Sequence, residues 1–363
     1  MAALISKLLF LVTLTLLGLN YNANAEIRGK TQRKINRANR YGPFLGIVTQ
    51  SNFQKNLLLE HPSFTSYNET IEFAGRVFTF GGISGERVVV VVSGSSLINT
   101  GITTQLLLSL FRIKGVIHYG LAGSVDPSLH IGDVTIPQFW SHSGLWVWQR
   151  FLDGPQNKLP LEDSGDFSRK LGYLKFADYA VYVLEGLDRP DARLDNSLNN
   201  IWFQEERVYP FNSTLEERER IFWVPVNATY YEIANDLESL DSELLEKCVN
   251  PTNCLATTPE VSRVPTGTSA SIYVDNAAFG VFLNDKFNVG PVDMDSAAVA
   301  LACHQQKKPF IIIKAISDLV GRGSVEDANS FGSLAAKNSV TVTVEFVKLL
   351  QEFNVSRPGV FSL

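Results

Sequence analysis

Two short strings near the C-terminal end of the chain place acidic side chains where chemistry is expected. They are Val292–Ser296 (Val-Asp-Met-Asp-Ser) and Ala315–Asp318 (Ala-Ile-Ser-Asp). Each follows a short apolar run, so each puts a carboxylate where a buried strand gives way to a helix or loop. In open α/β sheets, ligands bind at that edge. Two acids delivered there from separate strands indicate a site that holds a polyhydroxylated ligand and gives it a proton. For either acid alone, a helix cap or a solvated loop is the alternative.

The acidic strings belong to a pattern of strands that alternate with helices. Strands are predicted at Phe44–Val48, Arg76–Phe80, Val88–Val92, Val116–Tyr119, Val134–Ile136, Ser269–Val274, Gly290–Met294 and Phe310–Ile313. Helices are predicted at Thr103–Phe111, at Tyr231–Cys248, from Ser296 onward, and where Val342, Phe346, Leu349, Leu350 and Phe353 follow one helical face. The alternation predicts an α/β fold: a single three-layer α/β/α domain around a twisted, mostly parallel mixed sheet. A long insertion is predicted at about residues 141–260.

The N-terminal residues have the pattern of a secretory signal peptide. Lys7 precedes the apolar stretch Leu8–Leu19, and Ala23-Asn24-Ala25 gives a cleavage pattern before Glu26. We therefore predict a signal peptide at 1–25 and a basic, polar lead at 26–40 that is either poorly ordered or a surface helix. The folded domain is predicted at 41–355, followed by a tail at 356–363.

The sequons agree with a secretory route. Four glycosylation sequons are present, at Asn68, Asn212, Asn227 and Asn354. No second apolar segment long enough to cross a membrane follows the signal. We expect an extracellular or vacuolar glycoprotein that is not bound to a membrane.

Composition excludes several other classes. The net charge is −5 with acids and bases interspersed, and no basic stripe suggests nucleic-acid binding. The five histidines show no ligand spacing, so no metal site is predicted. Cys248 and Cys254 flank a turn-forming loop and are expected to form a local disulfide. Cys303 lies in an apolar helical run and is expected to be a buried free thiol. No nucleophile elbow or phosphate-binding loop is present.

Several strings, taken together, resemble those of a known superfamily. These are Val91–Gly94 (Val-Val-Ser-Gly), Gly120–Gly123 (Gly-Leu-Ala-Gly), Ile131–Val134 (Ile-Gly-Asp-Val) and the two acidic strings. In order and spacing they resemble the purine nucleoside phosphorylase and nucleosidase superfamily. The signal peptide, Tyr173–Tyr179 and Val274–Asn276 are similar to its plant branch of bark-storage or vegetative-storage proteins. The resemblance covers roughly Tyr41–Glu352.

The resemblance implies roles for the acidic strings. Asp318 matches the general acid that gives a proton to the purine, and Ser317 is its neighbour. Asp295 stands where the superfamily has a Glu that binds the ribose hydroxyls, and its reach is shorter by about 1.5 Å. Met294 matches a Met that packs against sugar and base, with a core position as the alternative. Lys314 stands where several members have Arg, or it simply pairs with an acid.

The side of the site that activates the nucleophile departs from the superfamily pattern. Many hydrolytic relatives have Glu at the position of Gln54, and a glutamine cannot accept a proton from water. Leu121 replaces a hydroxyl-bearing residue, and Lys55 is the one cation between Val48 and Leu59. His118 either donates a hydrogen bond to an anion or is a structural residue. The resemblance also puts three glycines in the base or nucleophile region: Gly94, Gly120 and Gly123.

These implications leave two hypotheses. The first is an enzyme that cleaves the N-glycosidic bond of purine-type nucleosides, with phosphorolysis favoured over hydrolysis because phosphate needs no general base. Inorganic phosphate would be its co-substrate, no other cofactor is expected, and the partner would be a small nucleoside or purine base. The alternative is a catalytically weak or inactive storage glycoprotein of the same fold. The resemblance also implies a homo-oligomer.

Overall fold

The computed structural model describes residues 29–148, 171, 173–174, 201–212 and 219–356. The predicted signal peptide, much of the predicted insertion and most of the predicted tail lie outside the described residues. Residues 29–41 form the first helix, α1. Ile35 and Ala38 of α1 are buried against the core. Of the two alternatives for the basic lead, the surface helix is therefore correct for its described part.

The strands within the described residues are, in chain order, β1 Phe44–Thr49, β2 Phe64–Phe73, β3 Arg76–Ile83, β4 Glu86–Val92, β5 Ile113–Ser124, β6 Val134–His142, β7 Trp146–Trp148, β8 Tyr173–Leu174, β9 Ile201–Phe203, β10 Glu206–Val208, β11 Glu219–Ile221, β12 Val224–Pro225, β13 Cys248–Asn250, β14 Asn253–Cys254, β15 Val261–Ser269, β16 Val289–Asp293 and β17 Phe310–Leu319. The helices after α1 are α2 Asn52–Glu60, α3 Leu97–Leu110, α4 Ala228–Ile233, α5 Ala277–Phe287, α6 Ser296–Gln305 and α7 Ser324–Ser356. Two 3₁₀ helices, Ala234–Ser239 and Ser242–Leu244, follow α4.

The main sheet has ten strands and is mixed. Its centre is parallel: β1 pairs with β4 and β5, β5 with β17, and β15 with β6 and β16. Antiparallel pairing adds the edge meander β2-β3-β4 and joins β16 to β5 and β17 to β6. The last two pairings close β5, β17, β6, β15 and β16 into a ring.

Both faces of this sheet are buried, so successive apolar residues of a central strand pack into opposite cores. On β1, Leu45 and Ile47 contact the core that contains Phe346 of α7. Phe44 and Val48 of the same strand contact the opposite core, which includes α3 and α6. The predicted α/β/α layering and the apolar face of the last helix are confirmed.

Two element predictions were wrong. The helix predicted at Tyr231–Cys248 is the short α4 followed by the 3₁₀ helices, because Asp241 accepts a hydrogen bond from the backbone N–H of Glu243 and starts a new turn. A strand was also predicted at Ser269–Val274, but the observed strand, β15, runs from Val261 to Ser269. Pro265 within this strand obscures it, since proline is unusual inside a sheet.

The described part of the chain contains no helix with the length and apolar character needed to cross a membrane.

Candidate active site at the carboxyl ends of the strands

A cavity of about 200 Å³ opens where β5, β16 and β17 end, the edge at which the acids were expected. Its lining combines apolar groups with two carboxylates and three other polar side chains. The lining residues are Gln50, Leu121, Ala122, Gly123, Ile272, Tyr273, Val274, Val292, Asp293, Met294, Ser317, Asp318 and Ala328. Asp318, Ser317, Met294 and Gly123 of the predicted site therefore lie together.

Asp318 is a buried acid on the wall of this cavity. It lies inside β17, and α7 begins only at Ser324, so it is not a helix cap. The Ser317 hydroxyl donates a hydrogen bond of 2.6 Å to its Oδ2. A side chain at Gly123 would place its Cβ 2.7 Å from Oδ1 of Asp318, so only glycine leaves room for the carboxylate.

Burial raises the pKa of Asp318 to about 6. The hydrogen bond from Ser317 acts to lower this pKa, whereas the negative charges of Asp327 and Asp275 act to raise it. A carboxyl group with such a pKa can hold a proton near neutral pH and release it to a ligand. Acids tuned in this way are typical of catalytic sites.

The raised pKa predicts a stability effect. The folded-state pKa of Asp318 lies above the unfolded value, so the ionised form destabilises the fold fully above about pH 6, and the penalty disappears as the pH falls below about 4. We expect Asp318→Asn to raise the free energy of unfolding by about 2 kcal/mol at pH 8 and by much less at pH 4. Urea denaturation at both pH values measures this. The exposed Asp285→Asn is the control, and an Asp318→Asn variant less stable than wild type at pH 8 would contradict the prediction.

Asp295 lies behind the cavity wall, in a buried ion cluster. It is 1% exposed, its Oδ1 accepts a hydrogen bond of 2.9 Å from Lys314 Nζ, and its Oδ2 lies 3.4 Å from Nε2 of His118. Burial alone would raise the pKa of Asp295, but Lys314 and His118 together hold it well below its usual range. Asp295 precedes α6 but makes no side-chain capping bond.

His118 lies between two buried oxygen atoms. Its Nδ1 contacts the carbonyl oxygen of Val48 at 3.0 Å, and a carbonyl only accepts, so Nδ1 carries a proton. Its Nε2 lies 3.4 Å from Oδ2 of Asp295, and neither of these two buried atoms has a hydrogen-bond partner within the described part of the chain.

Asp293, which the sequence analysis did not single out, completes the cluster. Its carboxylate accepts hydrogen bonds from the hydroxyls of Ser269 and Ser296 and from the backbone N–H groups of Asp295 and Ser296. Lys314 Nζ lies 3.0 Å from its Oδ2. Burial and the neighbouring charge of Asp295 raise the pKa of Asp293, while Lys314 and the hydroxyls of Ser269 and Ser296 act to lower it. Lys314 is thus held between two buried carboxyl groups.

The expectation that Asp295 and Asp318 face one cleft is therefore wrong for Asp295. Asp295 does not line the cavity, because the short side chain reaches only Lys314 and His118. For Lys314, pairing with an acid is the alternative that the structure supports. His118, Asp293 and Asp295 lie close enough to share a metal ion, but the Lys314 ammonium contacts both carboxylates.

The predicted nucleophile region is buried beside the cluster. Gln54 is 2% exposed, and its Oε1 accepts hydrogen bonds from the Thr49 hydroxyl and the Gln50 N–H. Gly120 separates Gln54 from Lys314, since a Cβ there would lie 3.4 Å from Lys314 Nζ and 3.5 Å from Gln54 Nε2. Gly94, at φ +80°, donates its N–H to Gln50 and does not line the cavity. Leu121 gives this side of the cavity an apolar wall.

One wall of the cavity comes from the loop of Ile272, Tyr273 and Val274, which the sequence pattern predicts as the end of a strand. Asp275 fixes this loop by accepting hydrogen bonds from the N–H groups of Gly321 and Ser324, at the start of α7. The only sequence signal was the string Val274–Asn276, which carried part of the resemblance. Gln50 and Ala328 gave no signal.

The cysteines are as predicted, and the sequons lie in different settings. Cys248 and Cys254 form a disulfide between β13 and β14, and Cys303 is a buried free thiol. Asn68 and Asn212 are exposed, with positive φ angles. Asn227 caps α4, and Asn354 lies in α7.

Comparison with known proteins gives the same family. The model of the phosphorylase superfamily matches residues 45–180 and 190–348. Bark storage protein A of Populus deltoides is 29% identical over 306 residues, covering 84% of this chain and 88% of that protein. A 5'-methylthioadenosine/S-adenosylhomocysteine nucleosidase of Bacillus thuringiensis (strain Al Hakam) is 25% identical over 285 residues, covering 78% of this chain and 89% of that enzyme.

Solved structures share the fold. The S. pneumoniae 5'-methylthioadenosine/S-adenosylhomocysteine nucleosidase with a transition-state inhibitor superposes with a TM-score of 0.56 at 16% identity, covering 85% of this chain and all of that one. The futalosine hydrolase of Helicobacter pylori gives a TM-score of 0.55 at 15% identity, over 86% of this chain and 99% of that one. The predicted resemblance, including its bark-storage branch, is confirmed, and the chain belongs to the phosphorylase superfamily.

Proposed function

We propose that the cavity binds a purine-type nucleoside and that the protein cleaves its N-glycosidic bond, with Asp318 as the acid that protonates the leaving base. The observation that carries this proposal is the buried Asp318 carboxyl group, which has a pKa of about 6 and faces a largely apolar cavity. Cleavage builds negative charge on the base, and a positioned acid neutralises it in the transition state. Nucleosidases among the relatives support this reaction class.

We propose that water is the acceptor. The sequence pattern favours phosphate, but the described residues that line the cavity include two acids and no cation. Lys314 and His118 do not line the cavity, and both are buried beside Asp295. An incoming phosphate would meet repulsion from Asp293 and Asp318 instead of a compensating charge. We therefore propose hydrolysis, with phosphate dependence as the alternative.

A storage or binding protein with little turnover is the second candidate, and specific observations favour it. Gln54 cannot take a proton from water, and Leu121 offers no hydroxyl. Asp295 is engaged by Lys314 and does not reach the cavity. The likeness to bark storage protein A supports this candidate equally.

One assay separates these functions. The purified protein is incubated with adenosine, inosine, 5'-methylthioadenosine and a cytokinin riboside, with and without inorganic phosphate, and free base is quantified by chromatography. We expect base release from at least one nucleoside at the same rate in both conditions. Release only with phosphate would restore phosphorolysis. No release above the level of an Asp318→Asn variant would leave the binding or storage protein.

Restoring an acid at position 54 should increase hydrolysis. In Gln54→Glu the carboxylate would lie beside Gly120 and near Lys314, and a general base is worth about 10²-fold or more in rate. Phosphate-independent base release measures the gain. Gln105→Glu, which adds the same charge on the exposed side of α3, is the control. Unchanged release from folded Gln54→Glu would mean that no water reaches this position.

Our proposal extends to compartment and assembly. The predicted signal peptide and the exposed sequons at Asn68 and Asn212 support a secreted or vacuolar glycoprotein. A homo-oligomer remains part of the proposal, and light scattering of the purified protein tests it. Expression in eukaryotic cells followed by enzymatic deglycosylation tests the glycans, since an unchanged mass would exclude them.

A further inference from the structure

The sugar side of the cavity offers a ligand no free carboxylate among the described residues. Asp293 lines the cavity, but Oδ1 already accepts from Ser269 and from two backbone N–H groups. Its Oδ2 contacts the Ser296 hydroxyl and Lys314. A carboxylate has about four acceptor positions, so this one has none left for ribose hydroxyls. Asp295 is sealed behind it.

The ion cluster also makes this arrangement costly to open. A ribose hydroxyl could reach Asp295 only if the buried cluster opened, because Asp295, Lys314 and His118 are each 1% exposed or less. Separating such a buried pair leaves an unpaired charge away from water, which is strongly unfavourable. A hydroxyl, being neutral, cannot replace the Lys314 ammonium group.

The opposite side of the cavity keeps groups that suit a planar heteroaromatic ring. Asp318 can accept from a ring N–H when ionised or donate to a ring nitrogen when protonated. Leu121, Val274 and Val292 provide apolar contacts for the ring faces, and Tyr273 adds an aromatic side chain. One polar edge between apolar walls is the complement of a purine-like base.

The size of the cavity fits a free base better than its riboside. Sites for drug-sized ligands have volumes of about 300–1,000 Å³. This cavity, at about 200 Å³, lies below that range. A bicyclic base is flat and compact, whereas its riboside adds a second ring with several hydroxyl groups.

We infer that this site binds a free purine-like base more tightly than the corresponding riboside, because the base side is open to a ligand while the carboxylates of the sugar side are locked in the Lys314–His118 ion cluster. The inference rests on the proposed function of the cavity and names the form of the ligand that it retains. Ribose hydroxyls placed against the carboxylates of the ion cluster would lose their hydrogen bonds to water without gaining hydrogen bonds to the protein. This loss of hydrogen bonding opposes binding of the riboside.

Calorimetric titration of the full protein with adenine, adenosine and ribose tests the inference, with chromatography confirming that adenosine stays intact during the measurement. We expect a dissociation constant for adenine about tenfold or more below that for adenosine, and no binding of ribose. Asp318→Asn should weaken adenine binding by about tenfold or more, because a hydrogen bond with a charged partner is lost.

The variant Asp295→Glu tests the ion-cluster explanation directly. A side chain longer by about 1.5 Å can keep contact with Lys314 while extending toward the cavity. We expect it to bind adenosine about tenfold more tightly and adenine unchanged. Equal binding or tighter binding of adenosine by the wild-type protein overturns the inference. Release of adenine from that adenosine would still leave the proposed function in place, whereas absence of binding by both ligands overturns both.

Discussion

Asp318→Asn is expected to slow the release of base from a nucleoside by about 10²–10⁴-fold, the usual contribution of a positioned general acid. An amide keeps the shape and accepts the Ser317 hydrogen bond, but it cannot deliver a proton to the leaving base. The effect should appear in kcat, since proton transfer occurs in the transition state. Base release under single-turnover conditions measures the loss.

The same residue predicts the pH dependence. Because burial raises the pKa of Asp318 to about 6, the protonated acid is the minor form at pH 8. Activity that requires this form should fall about tenfold for each pH unit above 6. A kcat profile between pH 5 and pH 9 checks it, and the exposed Asp285→Asn should leave the profile unchanged. A rate that rises with pH across this range would show that another residue limits the reaction.

Lys314→Met is expected to lower the free energy of unfolding by about 3–5 kcal/mol, the usual effect of removing one member of a buried ion pair. Methionine fills much of the same volume, so the loss comes chiefly from charge. Asp293 and Asp295 would face each other in the interior with only His118 to balance them. Denaturant unfolding measured by circular dichroism gives the difference.

The matched control for Lys314→Met is Lys337→Met. Lys337 is about half exposed and lies 3.8 Å from Glu246, so its pair should contribute less than about 1 kcal/mol. A loss at Lys314 as small as that at Lys337 would mean that water reaches the carboxylates or that one of them is protonated. In that case Asp295 would also be free to meet a ligand, and our inference about the locked sugar side would fall with the ion cluster.

These predictions address two halves of one site. The acid half is compatible with catalysis, because Asp318 is buried, tuned and in contact with the cavity. The other half is occupied by interactions within the protein, since Lys314 contacts Asp293 and Asp295.

Local pattern was sufficient for much of the fold. The apolar runs of β1, β4 and β17 fill both cores, so strand prediction there depended only on composition and length. It failed where a single residue type misled it, as Pro265 did in β15. It could not show that β5, β17, β6, β15 and β16 form a ring, because pairing between strands distant in sequence leaves no periodic signal.

The sequence by itself determined the superfamily and the position of Asp318 at the end of a buried strand, because both depend on short local strings. Only the tertiary structure decided what Asp295 does. Its partners, His118 and Lys314, come from β5 and β17, and the separation of a few ångströms between these side chains arises from strand register and burial. A buried carboxylate is stabilised by a cation in contact, and the Lys314 ammonium group lies 2.9 Å from Oδ1 of Asp295.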